Sequence, residues 1–130
     1  MAIVDANGLP VSLLIASASP HEITLLKPVI DARFIRRPIR RLTGDKAYDS
    51  DRMDGELKSL GTELNAPHRA SRKRPATQDG RKLRSYKRRW KVERYFAWLF
   101  NFRKCVVRYE YKEENFFAFL LLASAIILIR

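Results

Sequence analysis

Apolar residues recur along this chain in short runs separated by turn-forming steps, and the period of the runs changes from front to back. Residues 2–5 and 9–18 are apolar runs on either side of Asn7-Gly8. Such a step favours a tight hairpin, because both residues tolerate positive φ. An antiparallel strand pair is therefore predicted at the front. Ser19-Pro20-His21-Glu22 follows as a capping box with proline at the first helical position, predicting a helix that runs to about Asp31 with His21 in its exposed first turn. An arginine-rich linker broken by Pro38 leads to residues 41–44, a short strand ending at Asp45. Asp49 or Ser50 caps the next helix, Asp51 and Asp54 suit the positive end of its dipole, and Gly61 closes it. Residues 63–66 form a further candidate strand.

The second half has a different texture. From about 67 to 80 periodicity is lost, and the segment reads as a mobile basic loop. A long helix is predicted over about 82–104, where residues 85–104 hold no Pro or Gly and consist of good helix formers and aromatics. At about 100° per residue, Tyr86, Arg89, Glu93, Ala97, Phe100 and Lys104 share one strip of that helix. Trp90, Phe96, Leu99 and Phe102 spread apolar surface over its other sides, so a largely buried helix is expected. A short extended piece, 106–111, precedes a terminal apolar helix over about 113–130. Its apolar core, 116–129, interrupted only by Ser124, is shorter than the roughly 20 residues of a membrane span and is expected to be a buried core helix. Strand, strand, helix, strand, helix, strand and two helices make an α/β layered pattern with a mixed sheet, a single domain or part of one.

Charge changes this picture more than composition does. The 130 residues carry a formal net charge of +12, from 26 Lys and Arg against 14 Asp and Glu. That excess points to a polyanion, most simply nucleic acid, with an anionic membrane surface as the competing partner. Twelve basic residues lie between Arg69 and Arg94. They are interleaved with Tyr86, Trp90 and Tyr95, a pattern that predicts nucleic-acid contact over a merely solvated face. An apolar content of 46% excludes a disordered basic tail. The single Cys105 precludes an intramolecular disulfide, fits a cytoplasmic setting, and is expected in the core.

Two carboxylates are candidates for chemistry. Asp45 stands where a strand runs out into a loop, a common location for sites in α/β folds. Glu93 stands in a basic, aromatic helix, where burial would be costly without a cation or metal. An acid from a strand end and an acid from a helix can hold divalent magnesium for in-line phosphoryl transfer. The alternatives stay open: Asp45 as a helix-entry cap, and Glu93 as the ion-pair partner of Arg89 or a lysine.

Asp45-Lys-Ala-Tyr-Asp-Ser-Asp51, then Tyr86-x-x-Arg89-x-x-x-Glu93, then Arg103-Lys104 and Arg108-Tyr109 resemble the C-terminal part of a bacterial insertion-sequence DDE transposase. The group concerned spaces Tyr, Arg, Glu and Lys along one helix. The opening IVDANGLPVSLLIASASPHE and the closing NFFAFLLLASAIILIR extend the likeness over almost the whole chain. The resemblance implies a ribonuclease-H-like fold and three acids holding two magnesium (or manganese) ions. Asp45 would be the second acid and Glu93 the third, with Tyr86 and Arg89 holding DNA beside the metals. Arg72, Lys73, Arg74, Lys87 and Arg88 would contact backbone phosphate. The signature lysine falls at Phe100, so Arg103 or Lys104 is expected to substitute. The family's first acid belongs to a strand upstream of the hairpin, and Asp5 is a hairpin residue. The expectation is a downstream frame or truncated copy, inactive alone, that works with an upstream transposase portion. The active complex would be a homo-oligomer acting on transposon ends and target DNA in the bacterial cytoplasm, with no membrane partner. The rival expectation is a non-catalytic basic nucleic-acid-binding module.

Overall fold

The computed structural model describes residues 1–77, 80 and 82–129. Gln78 and Asp79 of the basic loop, Arg81 of the basic stretch and Arg130 at the end of the terminal helix lie outside the described residues. The chain divides into two compact units, Met1–Ala18 with Lys27–Phe34 and Trp90–Arg130, and Ser19–Leu26 with Ile35–Arg89. Among the described residues each unit holds one two-stranded sheet, in place of a single mixed sheet.

In the first unit, β1 (Ala2–Val4) and β2 (Pro10–Leu13) pair antiparallel as predicted, with Ala2 opposite Leu13 and a bulge after Ile3. At the turn, Gly8 takes positive φ, at 86°, and a Cβ there would lie 2.9 Å from Arg94 Nη2. The backbone requires glycine at this turn, and a Cβ would in addition displace the tip of the Arg94 side chain. Asp5 is a hairpin residue, its Oδ1 accepting from the N–H of Asn7 at 2.8 Å and of Leu9 at 2.9 Å. Lys91 donates to the Ala6 carbonyl and Arg94 to that of Asn7 at 2.7 Å, tying the turn to the helix that carries both cations.

That helix differs from the expected 82–104. The segment is a 3₁₀ stretch at Lys82–Arg88, then α3 (Trp90–Leu99), then the short α4 (Arg103–Val106). Between α3 and α4, Asn101 and Phe102 bond three residues back, to Trp98 and Leu99, which tightens the turn and ends the α-helix. Phe102 then turns extended and packs with buried Cys105 against the core. Core packing overrides a favourable helix propensity here. The single strip from Tyr86 to Lys104 does not survive these two breaks. Tyr95, expected among DNA-facing aromatics, is fully buried and shares a 2.8 Å hydrogen bond with Ser124 of α5 (Glu113–Ile129). Leu13, Tyr95, Leu99, Cys105, Leu120, Ala123 and Ile127 form the core of this unit. The terminal helix is buried along that side only, leaving Leu122, Ile126 and Ile129 exposed.

The first helix also differs from expectation. Its N-cap is His21, not Ser19, and it opens as a 3₁₀ turn (Glu22–Leu25) before α1 (Leu26–Asp31). Pro28, which has no N–H to donate, interrupts the ladder inside the predicted helix and accounts for the division. In the second unit, β3 (Arg41–Thr43) and β4 (Glu63–Asn65) pair parallel, with α2 (Asp51–Ser59) between them in sequence. Ser50 is the N-cap of α2, its hydroxyl accepting from Met53 N–H, and Gly61 follows its end at φ 78°. Leu57, Leu64 and Ala66 are buried beneath it. The basic loop after β4 is not free: His68, Arg69, Arg72 and Arg74 are held to the segment that leads into α2 and to its first turn.

Candidate metal and DNA site

The candidate site begins where β3 ends. Gly44 must be glycine because a Cβ there would come 2.8 Å from the Tyr48 ring. The chain then turns through the 3₁₀ segment Lys46–Tyr48, whose N-cap is Asp45: its Oδ1 accepts the Ala47 N–H at 2.8 Å. The helix-entry cap foreseen as an alternative for Asp45 is therefore present. It uses one carboxylate oxygen. The other, Oδ2, lies 3.7 Å from Arg89 Nη1, and 41% of the side chain stays exposed. Arg89 also donates to the Tyr86 hydroxyl at 3.2 Å and stacks 5.2 Å from that ring's centre. Asp45, Tyr86 and Arg89, distant in sequence, are thus brought to one corner. Negative charge concentrates there: burial first, then Glu22 and Asp45, push the Tyr48 phenol up to about 12.

Four residues on lies a corner of opposite character. Only 6% of the Asp49 side chain is exposed. It takes His68 Nδ1 at 2.8 Å, the Arg69 N–H at 2.8 Å and Arg72 Nη1 at 2.9 Å. Arg72 also reaches Asp51 at 2.7 Å, and Arg74 reaches it at 3.1 Å. His68 Nε2 accepts the Thr77 N–H at 3.2 Å, so the ring bridges Asp49 to the far side of the loop. Burial opposes ionisation of Asp49, yet the Arg69 N–H, His68 and Arg72 outweigh it and hold the carboxyl below its usual range. Arg72, predicted to contact DNA, is spent on this knot, and Arg74 is shared with Asp51. Lys73, Lys87 and Arg88 remain exposed.

A family model described as "Transposase DDE domain" matches residues 1–128. The chain belongs to the DDE transposase family. A Burkholderia cepacia protein provisionally described as the transposase for insertion sequence element IS402 is 36% identical over 136 residues, covering 96% of this chain and 59% of that protein. This transposase chain thus spans about three fifths of the curated relative it matches. No solved structure gives a significant match.

In this transposase the remaining signature residues belong to the first unit. Glu93 lies in the first turn of α3 and is exposed, not buried, so the expected cost of burying its charge does not arise. A helix N-terminus favours its negative charge. Glu93 belongs to the first unit and Asp45 to the second. Lys104 pairs with Glu110 at 3.2 Å and lies over the Tyr109 and Phe119 rings, while Arg103 is exposed. Phe100, at the signature lysine position, is half exposed.

Magnesium takes hard oxygen donors, several of them usually water. The solvent-accessible carboxylates of Asp45 and Glu93 are of that type. Among the described residues no three His, Cys, Asp or Glu side chains gather to hold a metal. Each carboxylate, taken by itself, fits one position of a magnesium shell. Sequence reasoning missed the Asp49–His68–Arg72 knot. Its signal was the pair of acids two apart, Asp49 and Asp51, ahead of arginines in the following loop, a pattern any capped helix and solvated loop would also show. No helix among the described residues is long and apolar enough to cross a membrane.

Proposed function

We propose that this chain is the catalytic portion of a DNA transposase that supplies the second and third metal-binding acids, Asp45 and Glu93, and is inactive without a further portion. The observation that carries this is the corner at the tip of β3: an accessible carboxylate with an arginine at 3.7 Å and a tyrosine beside it, in a member of the family. Bound magnesium or manganese would supply activation of the attacking water or 3′-hydroxyl and stabilisation of the leaving oxygen. Asp45 holds Oδ1 in its cap and turns Oδ2 outward as a ligand. Arg89, already close to one anion, is placed to hold a second, the DNA phosphate, and Tyr86 fixes the guanidinium plane. Lys73, Lys87 and Arg88 neutralise neighbouring phosphates.

The ribonuclease-H-like fold and the absent first acid belong to the same proposal. Two-stranded pairs leave backbone donors and acceptors along their edges. A strand from the part of the protein beyond this chain, carrying the first acid, would pair there. The relative's greater length supports this. The assembled enzyme would act as a homo-oligomer on transposon ends and target DNA, in the cytoplasm at the nucleoid, without a membrane partner.

In a full-length reconstruction, Asp45→Ala with Glu93→Ala should abolish strand transfer and leave DNA binding intact. Unchanged transposition would refute the assignment. It would favour the second reading, a non-catalytic nucleic-acid module, which the net charge of +12 supports equally well. The isolated chain should not cleave a cognate transposon end in magnesium; cleavage would refute the fragment reading.

A further inference from the structure

The arginines this structure leaves unengaged are not confined to the stretch where the sequence is most basic, which keeps Arg84 and Arg88 exposed. In the stretch after β4, Arg69 donates to the carbonyls of Lys46 and Ala47, and Arg72 and Arg74 are paired with Asp49 and Asp51. In the linker before β3, Arg36, Arg37 and Arg40 are exposed, and none of them meets a carboxylate or carbonyl among the described residues. Their neighbour Arg41 shows what pairing would look like, reaching Glu63 at 3.3 Å.

The end of the linker is anchored. The Ile39 carbonyl accepts from Thr62 Oγ1 at 2.7 Å, and that of Arg40 from the Glu63 N–H at 2.9 Å. Pro38 fixes its own φ and holds the preceding residue extended. Three exposed guanidinium groups within five residues, the last of them on an anchored backbone, make a compact polyanion contact. From Arg37 to Arg40 the chain can span about 10 Å. A guanidinium binds a phosphate through two parallel hydrogen bonds, which suits a sugar–phosphate backbone better than a diffuse anionic surface.

We propose that Arg36, Arg37 and Arg40 form a DNA-backbone contact, separate from the corner at Asp45. It rests on the DNA-binding reading above and adds a surface to it. Each phosphate neutralised contributes about 0.9 to the slope of log affinity against log salt.

The test is the salt dependence of binding to a short random-sequence DNA duplex, measured on the intact chain and on the triple variants Arg36→Gln/Arg37→Gln/Arg40→Gln and Arg36→Lys/Arg37→Lys/Arg40→Lys. The glutamine variant should lose nearly 3 units of slope, so that its fall in affinity between roughly 50 and 200 mM salt shrinks by about 40-fold. The lysine variant should keep the slope. Matching circular dichroism of the two variants separates lost charge from lost fold. If the intact chain binds with a steep slope that the glutamine variant retains, this contact is refuted while the DNA reading stands. If the intact chain shows no salt-dependent binding, both fall. If the glutamine variant keeps its DNA slope but loses retention on phosphatidylserine vesicles, the surface is one for lipid, and the proposal is wrong.

Discussion

Asp45 and Asp49 sit four residues apart in one short motif and have opposite lives. Asp49 is almost sealed from solvent and spends both oxygens on a backbone N–H, an imidazole and a guanidinium. Asp45 gives one oxygen to its own turn and leaves the other facing water and an arginine at 3.7 Å. The first is a structural anion, with no coordination left to offer. The second is tethered but unsaturated, which is what a metal ligand requires. A later segment of the chain makes the difference, since the loop after β4 folds its imidazole and guanidinium groups onto Asp49 and leaves the Asp45 carboxylate open.

The comparison breaks first at Asp49. Asp49→Asn leaves Arg72, whose side chain is only 11% exposed, with Asp51 as its one charged partner. Arg72 keeps Asp51, so the loss comes from the weakened hydrogen bonds of the Asp49 carboxylate and should be roughly 1–2 kcal/mol. Urea unfolding followed by circular dichroism should show a lower midpoint at unchanged slope. A loss under about 0.5 kcal/mol would mean that the knot does not stabilise the fold.

Acid should loosen the same knot by a smaller amount. Asp49 and Asp51 both lie below the usual 3.8, Asp51 through hydrogen bonds from Arg72 and then Arg74. In the unfolded chain these carboxyls take protons first, so their contribution is complete above about pH 5 and is lost as pH falls through the folded values. Urea midpoints measured from neutral pH downward should therefore fall more steeply for the native chain than for Asp49→Asn. Equal slopes would remove Asp49 from the acid response.

The hairpin, the β3 and β4 strands and the terminal helix were legible because each rests on local signals: Asn-Gly, β-branched or apolar runs, and an apolar stretch opened by Glu113 and Glu114. Asp45 at a strand end was legible for the same reason. The breaks around α3 were not, because nothing in 85–104 disfavours a helix locally. The one after Leu99 arises where Phe102 and Cys105 turn into a core formed by distant residues. Nor could charge counting separate Arg72 from Arg36. Both look like solvated cations in sequence, and only the fold places two aspartates against one of them and, among the described residues, none against the other.

The finest probe of the comparison is Asp45→Asn. The amide oxygen keeps the acceptor for the Ala47 N–H, and an exposed pair 3.7 Å from Arg89 contributes little. Stability should therefore stay within about 0.5 kcal/mol of the native chain. A loss as large as that of Asp49→Asn would make Asp45 a second structural anion and end its claim as a ligand. The charge itself has a reporter in Tyr48, whose phenol is raised to about 12 chiefly by burial, next by Glu22 and last by Asp45. Ultraviolet titration of the phenolate should show Tyr48 ionising at slightly lower pH in Asp45→Asn, and by less than in Glu22→Gln. An unmoved Tyr48 in Asp45→Asn would mean that the carboxylate's charge is already compensated by Arg89, leaving it a poorer ligand for magnesium than its exposure implies.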